Sequence, residues 1–167
     1  TVAAGGGSIC GFDGASLTVG PESAGAKPGP ACYGDGGPLT LTDVNLLLGR
    51  LDDGMFEIPI VRNDALAQAE QLRFLVESAT GESMTIEAML EGLLDIADER
   101  MADAIRRVSI RKGYDPAEYS LLAFGGAGGQ HACSLAAKLD MRTAIIPRHA
   151  SLLSAFGLRH ACIERFA

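Results

Sequence analysis

The chain has 167 residues, of which 47% are hydrophobic and 21% charged, with a net charge of −7. That composition suits a soluble globular protein, and no window offers the roughly 18 or more apolar residues of a membrane span. The acidic balance, with no basic run interleaved with aromatics, argues against nucleic acid as a partner, and an anionic ligand would have to be held locally. The length suits one domain.

In chain order, "TVAA" and "SICGF" are β-rich pieces around Gly5, Gly6 and Gly7, and "GASLTVG" alternates like a short strand after a turn at Asp13-Gly14, which predicts a hairpin. Residues 20–38 are too rich in glycine and proline for a helix or a central strand and are expected to form a long loop, with Ala31, Cys32 and Tyr33 favouring order. "LTDVNLLLGRL" reads as a helix capped by Thr42 or Asp43 and ending near Gly49. A helical hairpin is expected over 64–113. Its first helix stops at Gly81, and its second starts at an N-cap Thr85, carries Ile86, Met89, Leu93, Ile96, Ala97, Met101 and Ile105 on one stripe, and ends at Gly113.

Residues 119–165 then run strand ("YSLLAF"), glycine turn, helix ("QHACSLAAKL"), strand ("RTAIIP") and helix ("SLLSAFGLRHACI"). This alternation predicts a parallel α/β layer, with the turn at the carboxyl edge of the first strand, where such sheets place ligands. Gly125, Gly126, Ala127, Gly128 and Gly129 are therefore the candidate ligand-contacting residues: glycine lets the backbone approach a ligand closely, and the following helix aims free N–H groups at anions. The competing reading is that these glycines only permit tight packing of strand on helix. The tract meets neither GxxxxGK[ST] nor GxGxxG, and "GGGSICG" misses GxSxG by one position.

Four scattered cysteines, Cys10, Cys32, Cys133 and Cys162, without a CxxC pair, read as reduced thiols in a cytoplasmic setting. His131, on the first turn of the helix after the tract, is either an acceptor or ligand or a buried histidine bonded to a carbonyl. Asp43 is a cap or a ligand, and Cys32 a small buried residue or a ligand. Together Cys32, Asp43 and His131 are of the right types for a metal site, although their scatter makes that signal weak. The opening on "TVAA" and the close on "CIERFA" within a helical pattern lead us to expect a segment of a longer protein.

Four stretches in this order, "AAGGGSI", "VGPESAGAKPGPACYGDGGPLTLTDVNLLLGRL", "FGGAGGQHAC" and "LLSAFGL", resemble the hydantoinase/oxoprolinase family, whose members cleave or activate cyclic amides with ATP. "GGAGGQHAC" is more similar to 5-oxoprolinases than to N-methylhydantoinases, which usually carry Pro-Leu where Gly129-Gln130 stand here. The resemblance implies a lobe of the actin/sugar-kinase-like ATPase fold, with Gly125–Gly129 under the adenosine of ATP. It also implies Mg²⁺, held with the phosphates by Asp-Gly-Gly-Thr-type turns that this segment lacks. The expected activity of the whole protein is ATP-dependent opening of 5-oxoproline to glutamate, with no turnover from the segment alone. The alternatives are an N-methylhydantoinase, an ATP-dependent ketone carboxylase subunit, or a non-catalytic module binding a nucleotide or a partner. Self-association or a partner subunit fits any of these.

Overall fold

A computed structural model describes residues 5–161. The expectations for "TVAA" at the start, and for Cys162 and the rest of "CIERFA" at the end, fall outside them. The chain divides into two compact units, Thr1–Ala104 and Ile105–Ala167.

In the first unit, β1 (Ser8–Phe12) and β2 (Leu17–Ser23) form the expected antiparallel hairpin, pairing Cys10 with Val19 and Phe12 with Leu17. Asp13 closes its turn: the carboxylate accepts the N–H groups of Ala15 at 2.9 Å and Ser16 at 2.8 Å, and these bonds hold the carboxyl below its usual range. β2 continues through Gly20-Pro21 to Ser23, so the first part of the segment read as loop is extended ribbon. A two-stranded ribbon tolerates this proline because each strand has an open side that needs no N–H donor.

Helix α1 spans Leu41–Leu47, and its N-cap is Thr40 rather than Thr42 or Asp43. Asp43 is the third residue of the helix, and its carboxylate reaches back to the Thr40 N–H at 2.8 Å, one half of a capping box. The helix ends at Leu47, with Gly49 just beyond it, as the sequence predicts. The Arg62 guanidinium donates to the Leu46 and Leu47 carbonyls at 2.9 and 3.0 Å, and Gly49 turns the chain at φ 70°.

Helices α2 (Arg62–Thr80) and α3 (Ile86–Arg111) occupy the region read as a helical hairpin. Gly81 ends α2 at φ 74°, and the Ala88 N–H donates to Thr85 Oγ1 at 3.1 Å, as expected of an N-cap. Glu77 fastens the connection by accepting from Met84 N–H at 3.1 Å and Arg73 Nη1 at 2.8 Å. The apolar face of α3 is wider than the predicted stripe, because Leu90, Leu94 and Ala102 are buried beside Met89, Leu93 and Ala97. Ala69 and Leu72 of α2, Met89, Leu90 and Leu93 of α3, Cys10 and Val19 of the hairpin, and Leu41 and Val44 of α1 make one core. A smaller cluster joins Cys32, Leu46 and Ala65.

The second unit holds β3 (Leu121–Leu122), α4 (Gly128–Lys138), β4 (Ala144–Ile145) and α5 (Leu153–His160). The two strands are parallel, pairing Leu121 with Ala144 and Leu122 with Ile145, as the alternation of elements predicts. The strands are shorter than "YSLLAF" and "RTAIIP", although the ladder extends to Leu121 N–H on Thr143 O and Ala123 N–H on Ile145 O, both 2.9 Å. Burial of Ala123, Ala132, Leu135, Ala136 and Leu139 forms the core of this unit.

Candidate functional site

β3 delivers the chain into the glycine tract, and α4 begins within it. Gly125 has φ 89°, a conformation that residues with a Cβ rarely adopt, and its N–H donates to the Ala150 carbonyl at 2.8 Å. This bond ties the turn to the loop between β4 and α5. The turn is therefore one wall of a surface built by two βα connections, at the carboxyl edge of both strands, as the sequence predicts.

A packing role for these glycines makes a specific demand: a Cβ placed on them should strike a neighbour. A Cβ on Gly125 or Gly126 would meet nothing within 4 Å. On Gly128 it would reach Ala123 at 3.9 Å, and on Gly129 the Ile146 side chain at 3.8 Å, both ordinary van der Waals contact. Only the backbone conformation at Gly125 requires glycine for the fold itself. Gly126 has neither a crowded Cβ position nor a positive φ.

Charge supports an anionic occupant more than the whole-chain balance implies. Residues 105–167 contain nine Lys and Arg against four Asp and Glu, so the unit that carries the tract is cationic inside an acidic chain. The N-terminus of α4 adds its own partial positive charge. His131 lies on α4 two residues after the tract and is 3% exposed, turned inward with Ala132 and Leu135.

The first unit brings Cys32 and Asp43 together. The Asp43 carboxylate, fully buried, accepts Cys32 N–H at 2.8 Å through Oδ1, and Ala31 N–H at 3.1 Å through Oδ2. Its Oδ2 also takes the Thr40 hydroxyl at 2.8 Å besides the Thr40 N–H. Asp43 thus fastens the turn at Ala31–Tyr33 to the start of α1. Sequence spacing could raise Asp43 as a cap, but nothing in it showed a second set of donors twelve residues upstream. Burial, and after it a hydrogen bond to Asp43, pushes the Cys32 thiol up to about 12. Cys10, in the main core of the same unit, is pushed up to about 12 by burial and then by the Asp43 charge.

His131 belongs to the other unit, and among the described residues no group of three or more His, Cys, Asp or Glu side chains could hold a metal ion. No described helix is long and apolar enough to cross a membrane.

The hydantoinase/oxoprolinase family model matches residues 1–165. The chain belongs to the hydantoinase/oxoprolinase family. It is 44% identical over 172 residues to the 5-oxoprolinase PfmaA of Pestalotiopsis fici, an alignment covering 98% of this chain and 13% of that protein. It is 42% identical over 159 residues to caprolactamase subunit alpha of Pseudomonas jessenii, covering 94% of this chain and 23% of the subunit.

The crystal structure of the ATP-dependent caprolactamase from the same organism superposes with a TM-score of 0.78 at 43% identity, over 92% of this chain and 22% of that one. A nucleotide-free acetone carboxylase structure gives a TM-score of 0.77 at 26% identity, over 91% of this chain and 22% of its own. The α/β class expected from the sequence is the fold of these proteins. The segment spans about 13% of the length of the 5-oxoprolinase it matches.

Proposed function

We propose that this segment holds the adenosine of ATP in an enzyme that opens a cyclic amide at the expense of ATP. The observation that carries the reading is Gly126, a glycine whose Cβ position faces open space within 4 Å and whose backbone does not demand glycine. A ligand lying against the turn accounts for a residue without a side chain there; packing does not.

In this reading Gly125–Gly129 form a floor under the sugar and base, and Gly125 is held in place by its bond to Ala150. The cationic unit draws in the anion and the N-terminal amides of α4 favour its negative charge. Bound ATP would supply the phosphoryl group that activates the amide oxygen toward water. Positioning that group is the larger part of such catalysis. The Mg²⁺ that accompanies the phosphates falls to residues outside this segment, and so does the catalytic step, which leaves the segment alone without turnover. Likeness to a 5-oxoprolinase supports 5-oxoproline as the substrate, and likeness to a caprolactamase supports an uncharged lactam. The subunit naming of the caprolactamase relative supports a partner chain, and the free thiols of Cys10, Cys32 and Cys133 suit a cytoplasmic setting.

Calorimetric titration of ATP and ADP into the full-length protein, beside a Gly126→Val variant, tests this. The variant should keep the parent's melting temperature, because a Cβ at this position meets no protein atom within 4 Å, and should bind nucleotide at least about tenfold more weakly, a loss of about 1.4 kcal/mol. Undiminished ATP binding by a folded Gly126→Val protein sinks the reading.

A further inference from the structure

α2 carries Gln68 and Gln71 three residues apart, hence on one face of the helix. Both line a cavity of about 210 Å³ in the first unit, with Cys10 and Phe12 of β1, Leu39 before α1 and Leu72 of α2 among its walls. This is smaller than the roughly 300–1,000 Å³ of sites for drug-sized ligands, and suits a single small ring. The lining contains no Asp, Glu, Lys or Arg. Its one titratable group, the Cys10 thiol, stays protonated because burial pushes it up to about 12.

The chemistry of the walls is therefore apolar except for two carboxamides. A small lactam ring holds its amide cis, with N–H and C=O side by side on one edge. A glutamine carboxamide offers an acceptor oxygen and N–H donors in the complementary arrangement. The ring carbons would meet Phe12, Leu39 and Leu72, and the amide edge would keep the hydrogen bonds it gives up in water. A ring that also bears an ionised carboxylate would be partly stripped of water here and would find no cation.

We propose that this cavity binds a small uncharged lactam, its amide edge on Gln68 and Gln71, in preference to a lactam that carries a carboxylate. The proposal rests on the cyclic-amide reading given above and narrows its substrate class.

The test uses the full-length protein without nucleotide and three probes, 2-pyrrolidone, ε-caprolactam and 5-oxoproline, titrated by calorimetry into the parent, Gln68→Leu and Gln71→Leu. The two uncharged lactams should saturate the parent and bind more tightly than 5-oxoproline, and each substitution should weaken them about fivefold, the worth of one net hydrogen bond. Gln71 is exposed, so Gln71→Leu decides the matter should Gln68→Leu fail to fold. Gly126→Val serves as the control. It removes nucleotide binding if the adenosine reading holds and leaves lactam binding intact, so the two ideas fail separately. Unchanged lactam affinity in folded Gln71→Leu overturns the proposal, as does tighter binding of 5-oxoproline or no saturable binding of either uncharged ring.

Discussion

Asp43 shows how much one side chain can organise. Its carboxylate serves three backbone N–H groups and one hydroxyl from two separate stretches of chain, all in the core. Asp43→Ala would leave the Cys32 and Thr40 N–H groups and the Thr40 hydroxyl buried without this acceptor, at about 1–3 kcal/mol each, while the Ala31 N–H keeps the Pro38 carbonyl. Chemical denaturation should show a loss of at least about 3 kcal/mol, or no folded protein. The neighbouring thiols make a separate prediction. Cys10 and Cys32 have an ordinary value near 9 when unfolded and about 12 when folded, so folding favours their protonated forms. That contribution is complete below pH 9 and declines as pH rises from 9 toward 12, because the unfolded thiols ionise first. Stability measured against pH should therefore fall across that window, and a Cys10→Ala, Cys32→Ala double variant should fall less steeply.

At the scale of elements, the loop between β2 and α1 is fixed by close backbone approach rather than by secondary structure. A Cβ on Gly37 would lie 1.9 Å from the Gly29 carbonyl oxygen and 2.9 Å from its carbon. No rotation of a flexible side chain can relieve that overlap, since both partners are main chain. Gly37→Ala should cost several times more than Gly36→Ala, whose Cβ would meet nothing within 4 Å, although Gly36 carries its own strain at φ 74°. Thermal denaturation of the two variants side by side gives the comparison, and equal melting temperatures would refute it. The glycine tract after β3 behaves in the opposite way. Its second glycine is open to substitution as far as the fold is concerned, which is why Gly126→Val separates ligand binding from folding.

For the molecule as a whole, the distribution of charge decides more than its sum. A net −7 argues against anionic ligands, yet the unit that carries the candidate site is the cationic one, and an anion arriving there meets a local field of favourable sign. The two proposed sites also divide between the units, the nucleotide turn in the second and the lactam cavity in the first.

Local chemistry alone determined much of this. The Asp13-Gly14 hairpin, the helix stops at Gly81 and Gly113, the Thr85 cap and the strand–turn–helix order at the glycine tract all follow from residues that act on their immediate neighbours in the chain. The family, too, was legible in four linear motifs. What tertiary structure alone decided was whatever depends on partners distant in sequence. Asp43 became an anchor for Ala31 and Cys32 because the loop folds back over α1, and the last carbonyls of α1 find a donor because Arg62 returns to them. Leu90, Leu94 and Ala102 widened the buried face of α3 because helix and hairpin pack on more than one side of it. Gly37 and Gly126 look alike in the sequence. One is enclosed by backbone and the other faces open space, and only the folded chain brings, or fails to bring, a neighbour to each.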